Sequence, residues 1–320
     1  MQRERQTMAY SSGSVIIDDD YNIFATGNAA GTGDNNVANI NTVWGTGTGD
    51  KGYGQSNIVS AVSAGSTVTA TQWATLLNRI SSAASHQGTS ITSITNPVAG
   101  DTISAYAALS SNITSIFNNR RNCAASGSSS TTNTDRTTSW GTSVTFSQNV
   151  QFASANAARY FFNAGGRITV SFSRTGGSSN DQNTAISNLC TACGTLTFTA
   201  GTATQTIAGG SFTGTTKTGG SGSPTINTTY GWYDLTTSYV QVFTQSASSY
   251  YGYEGNSVTV QLARDSGSDQ MLIRTIIAKS GGLTSVDGTL RVALTVIPPA
   301  TTHIANTWGT PTRGGSQSGS

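Results

Sequence analysis

The sequence predicts a mainly β protein in two parts, a helical N-terminal module followed by an antiparallel β-sandwich C-terminal domain. Three observations point there. Apolar residues recur at helical spacing up to about residue 120, they alternate with a period of two beyond about residue 140, and the stretch between is polar. The expected division is a helical docking module over 1–120, a linker over 121–139, a sandwich over 140–300, and a Gly/Ser-rich tail over 301–320 that stays loose unless a partner fixes it.

In chain order, Val37, Ile40, Val43 and Trp44 have helical spacing, with Asp34 as the expected N-cap and Gly45 as terminator. A stronger helix signal follows. Thr69-Ala-Thr-Gln72 has the capping-box pattern, and Trp73, Leu76, Leu77 and Ile80 fall on one face behind it. Ala64-Gly-Ser-Thr-Val-Thr-Ala70 is echoed by Ala99-Gly-Asp-Thr-Ile-Ser-Ala105, so Leu109, Ile113 and Ile116 repeat Trp73, Leu77 and Ile80 in a second turn-helix unit. Two such units are too few to bury each other's faces as a solenoid. These six residues therefore read as an apolar face left open for assembly.

The stretch Cys123-Ala-Ala-Ser-Gly-Ser-Ser-Ser-Thr-Thr-Asn-Thr-Asp135 reads as the hinge. After it, strands are expected at Ser143–Phe146, Arg167–Phe172, Gly194–Phe198, Ser257–Leu262 and Leu290–Val296, separated by Gly/Ser/Thr turns. Helical insertions are expected at Ala153–Asn163 and around Asp181–Cys190.

Charge is sparse: Asp, Glu, Lys and Arg make up 9% of the 320 residues, with a net charge of +2. An ordinary soluble domain is about a quarter charged. Such a surface suits a secreted protein, or a part set against symmetric neighbours where a dense charge pattern would repeat and repel itself. The balance gives no argument for nucleic acid, no run reaches the length of a membrane span, and Met1-Gln-Arg-Glu-Arg-Gln6 lacks the apolar stretch of a signal peptide. No membrane insertion is expected.

Catalytic raw material is thin. Glycosidase chemistry needs two converging carboxylates, but Glu4 and Glu254 are the only glutamates and no aspartate pair stands out. His86 and His303 have no signalled nucleophile beside them, so no enzyme activity is expected. His86 reads as a helix-end residue. Cys190-Thr-Ala-Cys193 has zinc or redox spacing, yet a four-ligand site would need Cys123 and a distant histidine; buried structural thiols are the expectation. Asp265-Ser-Gly-Ser-Asp269 reads as a hairpin turn before it reads as a calcium loop, and Gly45-Thr-Gly-Thr-Gly49 lacks the Lys-Ser/Thr of a phosphate loop. No cofactor or metal is expected.

Tyr230-Gly-Trp-Tyr233 and Tyr250-Tyr-Gly-Tyr253 place six aromatic residues in eight positions beside turn glycines. Tyr250, Tyr251 and Tyr253 are candidates for stacking on a glycan, with core packing or a subunit contact the favoured use.

Several stretches resemble structural proteins of tailed bacteriophages, cyanophages especially. They are Asp50-Lys-Gly-Tyr-Gly-Gln55, Ala64–Trp73, His86-Gln87, Arg136-Thr-Thr-Ser-Trp140, Ala157–Gly166, Tyr233–Tyr239 and Val286–Leu290, spanning about 34–296. Around Asn22–Asp34 a Gly/Ala-rich stretch stands where the resemblance implies a long first helix. The resemblance implies a tail-, neck- or baseplate-associated, fibre-like virion protein without catalytic residues, made in the host cytoplasm and carried on the particle. Its partners would be other virion proteins and copies of itself, in a trimer or multiple of three. Host-surface glycan recognition and capsid decoration are the alternative roles.

Overall fold

In the computed structural model, the described residues are 18–98, 105–248, 253–281 and 284–319. The chain divides into two compact units, residues 1–120 with 302–305, and residues 121–301 with 306–320. The protein is mainly β, with a helical N-terminal unit and antiparallel sheets packed as a sandwich.

The first unit contains α1 (Asp18–Thr26), α2 (Ile40–Trp44), α3 (Ala70–Gln87) and α4 (Tyr106–Asn118). Helix α3 starts at the expected capping box: Gln72 N donates to Thr69 Oγ1 at 3.3 Å and Thr69 N to Gln72 Oε1 at 2.8 Å. Gly88, at φ +70°, ends it in the left-handed conformation that favours glycine. Helix α2 is shorter than expected. Asn39, not Asp34, caps it by accepting from Thr42 N, while Asp34 holds its own turn through Asn36 N. Helix α1 carried no sequence signal; it begins ahead of the Gly/Ala-rich stretch, and only Asn22–Thr26 of that stretch is helical. Its first turn carries Asp18, Asp19 and Asp20, which complement the N-terminal dipole. Most of the echoed turn, residues 99–104, lies outside the described residues.

The second unit runs β1 (Ser130–Arg136), β2 (Ser143–Gln151), α5 (Ala155–Asn163), β3 (Arg167–Thr175), α6 (Asp181–Cys193), β4 (Thr195–Phe198), β5 (Gln205–Ile207), β6 (Gly210–Phe212), β7 (Thr215–Thr218), β8 (Thr225–Ile226), β9 (Val240–Ser246), β10 (Ser257–Arg264), β11 (Gln270–Ala278), β12 (Thr289–Ile297) and β13 (Thr312–Gly319). One sheet has the order β1-β12-β3-β4-β7 and the other β13-β2-β11-β10-β9-β8, with β5-β6 a separate hairpin. Inward positions alternate strictly with outward ones along β2, β11 and β12, which is why their apolar residues meet in one core. Gln148 on β2 and Thr275 on β11 are the polar exceptions. Gln148 spans the sandwich. Its Nε2 crosses to the other sheet, donating to Thr134 Oγ1 at 3.0 Å and Val292 O at 3.2 Å.

Two expected boundaries are corrected. Residues 130–136, read as linker, form β1 and pair with β12 along their whole length. The strand is polar on both sides because it is a sheet edge, and polar groups of Gln148, Arg291 and Arg313 meet its side chains. The tail is also ordered: 312–319 pairs with β2 as β13, and Ile304 and Trp308 are buried. Strands β5, β6, β7, β8, β9 and β11 carried no explicit expectation.

Candidate functional surfaces

Helices α3 and α4, which carry the six predicted assembly residues, pack together. Those residues are core. Trp73, Leu77, Ile80, Leu109, Ile113 and Ile116 are all buried, Leu77 being the most accessible at 8%. The expectation of an open assembly face is therefore corrected, and the reason is the helix the sequence hid. Tyr21 of α1 meets Trp73 edge-on at 5.3 Å, and Phe24 meets Tyr106 at 4.9 Å.

Of the predicted aromatic candidates, Tyr250 and Tyr251 lie outside the described residues. Tyr253 is half-buried, and its carbonyl accepts from Asn256 N at 3.0 Å in the turn that leads into β10. In the other aromatic stretch Trp232 is buried, stacked on Phe162 at 5.1 Å and 16°. Tyr233 donates to Asn163 Oδ1 at 2.6 Å.

Among the described residues, the exposed aromatic is one that was not singled out as a site. Tyr239 is 37% exposed, and the Arg274 guanidinium lies 4.1 Å from its ring centroid. Arg274 Nε donates to Gln261 Oε1 at 2.7 Å, and Gln261 faces the exposed Gln241 across the strand pair. The approach to β9 is held by Arg264 N, which donates to Thr236 O at 2.8 Å. The outward positions around this cluster on β2, β10, β11 and β13 are Ser, Thr, Asn, Gln, Gly, Ala, Leu and Ile. Across the other sheet, Thr131, Thr295, Thr169, Thr197 and Thr216 face one another in register over all five strands.

The ionisable groups are mostly engaged in holding loops and edges. Asp50 pairs with Arg120 at 2.5 Å, and Asp135 with Arg291 at 2.7 Å. Asp287 accepts from Ser178 Oγ at 2.5 Å and Ser178 N at 3.0 Å, and also from Asn183 Nδ2 and Arg174. These hydrogen bonds, those from Ser178 foremost, hold its carboxyl down at about 2. Asp265 accepts from the backbone of Gly267, Asp269 and Gln270, closing the β10–β11 hairpin turn. His86 is buried edge-on to Tyr53, whereas His303 is exposed.

All three cysteines are free and buried. Burial pushes the Cys190 thiol up to about 12 and raises Cys193 and Cys123 as well, which disfavours thiolate chemistry. Among the described residues no group of three or more His, Cys, Asp or Glu side chains gathers as a metal site. No helix among them is long and apolar enough to cross a membrane.

A groove of about 440 Å³ runs between Gly127–Ser130 and the 306–311 segment, over Val296, Pro298, Pro311 and Trp308. Its walls carry no ionisable side chain, and Trp308 is 2% exposed, so the indole supports the floor without offering a stacking face. No protein family, curated protein or solved structure matches the chain.

Proposed function

We propose that this chain is a non-enzymatic structural protein of a tailed-phage virion, associated with the tail or neck and fibre-like. In this reading it is made in the host cytoplasm, is carried on the particle, and binds other virion proteins and copies of itself in a trimer or multiple of three. The apolar helix face no longer supports the oligomer. What carries the reading is the outward make-up of the sandwich, where hydroxyl and amide residues dominate and Asp135 is neutralised by Arg291. A surface of this kind can be repeated by symmetry at close range without electrostatic self-repulsion.

The test is to purify particles of the phage encoding the chain, identify their proteins by mass spectrometry, and label this one with immunogold. It is expected in intact particles, with label at the tail or neck. Abundance in the infected-cell lysate together with absence from purified particles would refute the proposal.

A further inference from the structure

Arg274 is the one charged residue among the described outward positions of β2, β9, β10, β11 and β13. It is built in: its guanidinium rests on Tyr239 and its Nε is held by Gln261, which leaves the Nη nitrogens as the remaining donors. Gln261 receives that bond on its oxygen, so its amide NH₂ remains a donor, and the exposed Gln241 stands opposite it. Thr236, Thr237 and Ser238 add exposed hydroxyl-bearing residues beside Tyr239.

A surface of amides and hydroxyls with one aromatic ring and one isolated cation has a definite complement. The partner is rich in hydroxyls, offers apolar C–H faces for the ring, and presents a carboxylate to the single guanidinium. Nucleic acid draws its affinity from several cations set along its phosphates, and this face has one. A protein interface calls for a buried apolar anchor cluster, whereas Leu272 and Ile276 are the described aliphatic residues larger than alanine on the outward positions of β10 and β11.

We propose that this face binds a carboxylated glycan, an oligosaccharide containing uronic acid. Arg274 takes the carboxylate through its Nη donors, a neighbouring pyranose ring lies on Tyr239, and Gln241 and Gln261 bond its hydroxyls. The site's residues are not the Tyr250, Tyr251 and Tyr253 candidates. It stands or falls independently of whether the chain is a virion component.

Calorimetric titration of the full chain with trigalacturonate and, in parallel, with neutral maltotriose tests this. Trigalacturonate should bind at least about tenfold more tightly at low salt, and added salt should erode that difference. Arg274→Gln should abolish the preference while leaving maltotriose unaffected; Tyr239→Ala should weaken both sugars about tenfold. Gln241→Ala supplies a second, exposed probe that should weaken both, and melting curves confirm that each variant is folded. Equal affinity for the two sugars, no binding of trigalacturonate at millimolar concentration, or an unchanged preference in Arg274→Gln would each overturn the proposal. Displacement of trigalacturonate by an equal concentration of inorganic phosphate would reduce the site to a bare anion contact and overturn it too.

Discussion

The helical unit and the sandwich hold extended chain by different means. In the sandwich the partner of an extended segment is another strand, and the backbone ladder does the work whatever the side chains are. In the helical unit backbone bonds hold Tyr53–Gln55 against the end of α2, but at four other places the partner is a side-chain amide. Asn22 donates to Val62 O at 2.9 Å and accepts from Val62 N at 2.8 Å; Asn112 treats Thr92 in the same way at 2.8 and 2.9 Å. Asn41 grips Val59 and Gln55 grips Ala305 with the same two-bond pattern. Each amide copies the donor–acceptor face of a peptide group, so a helix can carry a one-residue substitute for a strand edge.

The consequence is a difference in fragility. A ladder spreads its bonds over many residues, whereas an amide clamp concentrates them in one side chain that a single substitution removes. The largest expected effect in the helical unit nonetheless belongs to its core. Trp73→Ala should lower stability by about 3–5 kcal/mol, since a large ring is deleted where α1 and α3 meet. The loss should be independent of protein concentration. An unchanged melting temperature in dilute solution, with loss of a larger assembly, would restore the open-face reading of this helix.

The next largest effect compares the two means of holding chain directly. Asn22 is buried and also donates to Ala29 O at 3.0 Å, so Asn22→Ala strands backbone groups of Val62 and Ala29 and should cost about 2–4 kcal/mol. Thr131 on the sandwich bonds Thr295 Oγ1 at 2.8 Å but is exposed and lies in an intact ladder. Thr131→Ala should stay within about 0.5 kcal/mol. Equal losses in chemical denaturation would break the distinction.

The same contrast explains what was legible beforehand. Helix α3 was readable to its first residue because Thr69 and Gln72 carry a local capping chemistry, and β3, β10 and β12 because alternation is also local. Strand β11 was harder, since Leu272 and Ile276 on its outward face blur the period. Strands β1 and β13 had no apolar signal at all; their place is decided by edge pairing and by distant polar contacts, such as Arg313 to Thr132 at 2.9 Å. The assembly face failed for the same physical reason. Amphipathicity shows that a face is covered, not what covers it. The Tyr239–Arg274 pair was equally hidden, because stacking across separate strands depends on register and not on spacing in the chain.

Strand β13 offers a sharper look at an edge held without apolar residues. A Cβ added to Gly315 would lie 2.2 Å from Thr134 Oγ1, so Gly315→Ala should cost about 1–3 kcal/mol by overpacking. Adding Thr134→Ala should recover part of that loss, giving a combined effect smaller than the sum of the two. Strict additivity in a double-mutant cycle would mean that β13 does not press on β1.

The smallest expected effect is conditional on pH and falls on a loop clamp of the sandwich. Asp287 ties Ser178 and Asn183 to the turn before β12, a side-chain clamp of the kind that dominates the helical unit. Its carboxyl titrates near 2, below the ordinary value of 3.8, chiefly because Ser178 bonds the ionised form. A folded-state value below the unfolded one means that the unfolded chain takes up the proton first as pH falls. The contribution is therefore fully present above about pH 5, declines as pH drops below the unfolded value of about 4, and is gone below about pH 2. The carboxylate is open to solvent, so screening keeps the effect modest and added salt should shrink its electrostatic share. Asp287→Asn should be less stable than the parent at neutral pH, and the gap should close as the pH is lowered from 5 toward 2. Parallel melting series of the two proteins across that range check this. A gap that stays constant would show that Asp287 acts through shape alone, and that the clamp does not draw on its charge.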